Sequence, residues 1–68
     1  MSTFKLEIAT DGAAFCALDG TPDPEFLSLE VARLLTRAAS RVKEGNAREG
    51  GLVDVNGNRV GSFWIEED

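Results

Sequence analysis

The segment Asp54-Val55-Asn56-Gly57-Asn58 carries the residue types and spacing most suggestive of chemistry in this chain. Oxygen-bearing side chains at alternate positions around a glycine are what a calcium loop requires. A twelve-residue EF-hand loop also needs glycine at its sixth position, for a sharp bend, and a bidentate glutamate at its twelfth. Counted from Asp54, those positions hold Arg59 and Ile65. Arg59 would also set a positive charge where the cation belongs. The segment is therefore read as a hairpin turn, either type I′ or a turn with a bulge. With a two-residue turn at Asn56-Gly57, Val55 opposes Asn58, Asp54 opposes Arg59 and Val53 opposes Val60. The Asp54–Arg59 pair would then add roughly 0.2–1 kcal/mol across the strands.

Other reactive groups are sparse. The chain has one cysteine, Cys16, and neither histidine nor tyrosine. A reactive thiolate needs a cation, a histidine or a helix N-terminus beside it. Cys16 lies instead in the apolar run "AAFCAL", where a small inert residue is expected. Acid–base catalysis needs two carboxyl groups held in different environments within a cleft. The acids here are scattered over turns and a helix start. The expectation is a protein that is not an enzyme, with no catalytic residues, no metal and no cofactor.

The elements that would position these groups are legible from periodicity. Phe4, Leu6 and Ile8 alternate with Lys5 and Glu7, which gives a half-buried strand over residues 3–10. Asp11-Gly12 could turn it into a second strand over residues 13–18, placing Ile8 opposite Phe15, Leu6 opposite Ala17 and Cys16 opposite Glu7. Alternatively, residues 13–21 are a connection. Asp23-Pro24 starts a helix over residues 24–44, with Asp23 as cap and Ser28 as its competitor. Leu27, Val31, Leu34, Leu35, Ala38 and Val42 form its apolar stripe. Gly45 is the natural residue beyond its end. A hairpin follows over residues 51–66. The fold class is α+β: one domain, 1–68, with a small antiparallel sheet and one helix packed on one face. The order is β-β-α-β-β, or β-α-β-β if residues 13–18 are a loop.

Composition narrows the function classes. The chain has 68 residues, 43% of them hydrophobic, and a net charge of −5. No apolar run approaches the roughly 20 residues of a membrane span. Lys5 and Glu7 interrupt any signal-peptide core. A cytoplasmic protein without a membrane or direct nucleic-acid partner is expected, because binding a phosphate backbone takes basic patches. The acidity suits a basic protein surface or mimicry of nucleic acid.

One helix covers one sheet face. With a two-residue turn, Val53, Val55, Val60 and Trp64 share one side, and Leu52, Phe63 and Ile65 the other. Both sides are apolar, so one is expected to be an interface. Phe26 and Leu29 point away from the helix stripe and join Val53, Val55, Val60 and Trp64 as candidate interface residues. Arg33, Arg37 and Arg41, beside Glu30 and Glu44, line one helix flank as a solvated, salt-bridged row.

Three segments resemble a family of short phage and prophage proteins: Thr10 to Phe15 (a TDxAAF-like pattern), Glu30 to Leu35 (EVARLL) and Asp54 to Gly61 (DxNGNxVG). The connection "CALDGTPDP" stands outside the pattern. The resemblance implies a bacterial host cell and carries no assigned activity. By analogy with small acidic phage proteins, it suggests a binding module that occupies host machinery, as some inhibitors of CRISPR effectors do. The alternative is a self-assembling homodimeric accessory, with Trp64 and the valines at the seam.

Overall fold

A computed structural model describes residues 1–67. The chain forms strand β1 (Ser2–Ile8), a 3₁₀ turn (Ala13–Phe15), helix α1 (Pro24–Gly45), strand β2 (Glu49–Val53) and strand β3 (Arg59–Glu67). The three strands make one antiparallel sheet in the order β1-β3-β2. The fold is α+β, with the helix laid on one face. β1 finds its partner in β3, from Ser2 opposite Glu67 to Ile8 opposite Gly61.

The second strand at 13–18 does not form. Phe15 and Cys16 close a tight turn by donating to the carbonyls of Gly12 and Ala13. Only an isolated bridge joins Cys16 to Pro22. Burial explains the choice. From the 3₁₀ turn Phe15 enters the core beneath α1, where it is 1% exposed. Ile8 therefore does not face Phe15, nor Leu6 Ala17. Cys16 is half-buried, and its thiol meets the Gly12 carbonyl instead of lying opposite Glu7.

α1 starts where the capping pattern places it. Asp23 Oδ1 accepts from the amides of Glu25, at 2.8 Å, and Phe26, while Pro24 fills the first turn, where its missing N–H costs nothing. Ser28 is not the cap. Asp23→Ala should therefore cost about 1 kcal/mol, visible as a lower urea midpoint; an unchanged midpoint would show the helix start to be held by packing alone. At the other end the left-handed residue is Asn46, with φ of 52°, and Gly45 is still helical. Asparagine tolerates that conformation nearly as well as glycine.

The hairpin differs from a two-residue turn. Gly57 N–H donates to the Asp54 carbonyl and Asp54 N–H to the Asn58 carbonyl, with Gly57 at φ 87°. This is a three-residue loop closed by a left-handed glycine. The register then slips once more. Val53 faces Arg59 and Leu52 faces Gly61, so Val60 is an extra, bulged residue. Asp54 does not pair with Arg59. Its Oδ1 instead accepts from the Asn56 and Asn58 amides, both at 2.9 Å, and shapes the turn.

The core is short. Phe15, Leu34, Ala38, Leu52 and Phe63 are buried, with Leu6, Ile8, Ala14, Val31, Ala47 and Val60 packed around them. The radius of gyration is 13.2 Å, against about 11 Å for a compact chain of this length. The excess reflects an elongated shape, 43 × 24 × 18 Å.

Candidate functional site

The two flanks of α1 differ in chemistry. At 3.6 residues per turn, Leu34 and Ala38 mark the centre of its inner face. Glu30, Arg33, Arg37 and Arg41 lie to one side, and Leu35, Ala39 and Val42 to the other. The charged flank is tied to the β2–β3 hairpin. Glu30, 6% exposed, receives two parallel hydrogen bonds from Arg33, each 2.8 Å. Its Oε2 also accepts from the Val55 amide at 2.9 Å. Arg33 reaches on to the Val53 carbonyl, and Arg41 to that of Gly51. Arg41 also lies over the Phe63 ring, 5.3 Å from its centre. Gly50 makes room, since a side chain there would strike both the guanidinium and the Phe63 ring. The Arg33 bonds hold the Glu30 carboxyl below its ordinary range, against the opposing effect of burial, with help from the Val55 amide. Arg33 is pushed up by the same pair. The row is salt-bridged through Glu30 and Arg33, and Arg37, Arg41 and Glu44 are exposed as expected of a solvated flank; the departure is Glu30, which is buried, while Arg33 and Arg41 reach carbonyls on the outer edge of the sheet.

These ties draw α1 toward β2 and away from β1. On the far side they leave a groove of 440 Å³, lined by Phe4, Leu6, Leu35, Ala38, Ala39, Val42 and Lys43. Apart from Lys43, every residue in that lining is apolar. Phe4 is 48% exposed and Leu35 46%. Phe4 rests against Phe63, their ring centres 5.8 Å apart. These residues belong to the strand alternation and helix stripe read as core.

Beside the groove runs a free strand edge. Ala9 N–H donates to the Val60 carbonyl of β3. Backbone groups alternate along a strand. Those of Thr3, Lys5 and Glu7 therefore turn toward β3, and those of Phe4, Leu6 and Ile8 turn outward. Among the described residues no side-chain hydrogen bond reaches this outer row. The β2 edge, in contrast, has its Gly51 and Val53 carbonyls capped by arginines.

The candidate interface residues do not form one surface. The bulge turns Val60 inward, where it packs on the core. Val53 and Trp64 lie on the open sheet face, among Lys5, Glu7, Glu49, Arg59 and Ser62. A polar face with two apolar members is not the second apolar face expected from the simpler register. Val55 sits on the hairpin tip. Phe26 is near it, across a shallow hollow with Ala13, Ala14, Ala17 and Leu18. Leu29 is exposed on the helix at 65%.

Among the described residues no three acidic or cysteine side chains gather to hold an ion. No helix of the described residues is long and apolar enough to cross a membrane. Compared with known proteins, the chain matches no family model, no curated protein and no solved structure.

Proposed function

We propose that this chain is a non-enzymatic protein-binding module whose contact surface is the groove between α1 and β1. The observation that carries the reading is the side-by-side placement of an apolar groove and an uncapped strand edge. The groove supplies the driving force of burial. The edge supplies directional backbone hydrogen bonds, as in strand addition. The acidic charge and the likeness of its motifs to phage and prophage proteins support a role in the cytoplasm of a bacterial host.

A photoreactive residue placed at Leu35 in living cells tests this against the same residue at Thr36, which the helix turns toward solvent. Discrete adducts are expected from position 35 and not from position 36. Equal labelling from both, or none from either, would remove the groove as a contact surface.

A further inference from the structure

We propose that the β1 edge pairs antiparallel with β1 of a second copy about a two-fold axis at Leu6, joining the two sheets into one of six strands. The inference rests on the binding role of the groove and names its occupant. In an antiparallel pair, residues directly opposite each other either both turn their backbone groups toward the partner or both turn them away. Only registers that set Phe4, Leu6 and Ile8 against one another are therefore open. Centring on Lys5 puts lysine against lysine. Centring on Glu7 puts glutamate against glutamate, and centring on Phe4 pairs only the first part of the strand. Centring on Leu6 places each Lys5 opposite Glu7 of the partner copy, twice by symmetry. It also places Phe4 opposite Ile8 on the helix side. Like charges directly opposite destabilise a sheet and opposite charges support it. The strand is thus complementary to itself in one register.

Three further observations agree. Lys5 and Glu66 form an ion pair at 3.3 Å with both side chains about half exposed, so the lysine lies on the open face, within reach of a second carboxylate. An axis perpendicular to the sheet puts both helices on the same face. The two grooves, each with Phe4, Leu6, Leu35 and Val42, then meet over the seam. On the opposite edge Arg33 and Arg41 already occupy the Val53 and Gly51 carbonyls, which disfavours continued pairing there, so two copies are expected instead of a fibre.

Sedimentation of the full chain reads the outcome. The wild type should approach twice its 7.3 kDa mass with rising concentration. Glu7→Lys or Lys5→Glu should raise the dimer dissociation constant at least about tenfold, and the double exchange, Lys5→Glu with Glu7→Lys, should restore it. In a Cys16→Ala background, Leu6→Cys should form a disulfide-linked dimer on mild oxidation, because residues facing each other in a hydrogen-bonded pair lie about 5.5 Å apart at Cα. Phe4→Cys, facing Ile8 of the other copy, should not. Circular dichroism of each variant separates lost pairing from lost folding. A 7.3 kDa monomer at about 1 mM, or a dimer indifferent to the charge exchange, overturns the proposal. If the Leu35 probe labels a different protein while the pure chain stays monomeric, self-pairing fails and the binding role stands. If there are neither adducts nor dimers, both fail.

Discussion

Phe63→Ala is expected to cost about 3–5 kcal/mol, a large share of the chain's stability. Phe63 sits on the central strand, 1% exposed, with Leu6 of β1 on one side and Gly50 of β2 on the other. Its ring joins Phe15, Leu34, Ala38 and Leu52 in the core. Phe4 stacks on it at 5.8 Å and Arg41 covers it at 5.3 Å. Truncation removes the burial of the ring and also leaves a space the rigid sheet cannot close. A domain of this length has roughly 3–10 kcal/mol of stability in total, so one substitution can consume most of it. Urea unfolding followed by fluorescence of Trp64, the sole tryptophan, measures the loss. A loss below about 1 kcal/mol would mean that the core is not organised around this ring.

Glu30→Ala should cost about 2–3 kcal/mol, the value of losing an ionised acceptor bonded to a charged donor and a backbone amide. The estimate stays below that for a fully buried pair because Arg33 keeps 36% of its side chain in solvent. Glu30→Gln should lose less at neutral pH, and its main effect is on the pH profile. The folded protein holds the Glu30 carboxyl below 4.5, chiefly through Arg33. The pair therefore contributes fully above the unfolded value and its contribution fades as pH falls through the folded one. The wild type should lose stability on acidification below the ordinary glutamate range, and the Gln variant should lose less over the same range. Asp19 is also held low, by the Thr21 hydroxyl, but it is exposed and adds little to the slope. Urea midpoints across that range, at one protein concentration so that self-association does not enter, decide the matter. Parallel slopes for the two proteins would show that Glu30 is not the acid-sensitive tie between helix and hairpin.

This tie also explains why the candidate surface could not be placed from residue patterns. Arg33, Arg37 and Arg41 are evenly spaced charges on a helix beside Glu30, and such spacing normally marks a solvated flank. The partners of Arg41 and Arg33, the carbonyls of Gly51 and Val53, are backbone groups 10 and 20 residues away and leave no mark in side-chain pattern. Once those bonds hold α1 over β2, the opposite flank is open by geometry. Phe4, Leu6, Leu35 and Val42 change from core candidates to groove lining.

By itself, the sequence determined what depends on neighbours within a few residues. The Asp23-Pro24 start of the helix is local capping chemistry. The alternation of β1, the turn at Asn56-Gly57 and the failure of Asp54 to head a calcium loop are likewise set within short windows. The class, one helix on a small antiparallel sheet, follows from adding them. Tertiary structure alone decided three other matters. Residues 13–18 form no strand; a 3₁₀ turn seats Phe15 in the core under α1 instead. β1 joined β3, more than fifty residues further along the chain, a contact no local window contains. The bulge at Val60 reversed one side chain, since in a strand a one-residue slip sends it to the other face. That slip moved Val60 into the core and left Trp64 on a polar face. The proposed interaction surface accordingly moved from the far side of the sheet to the groove and open edge of β1.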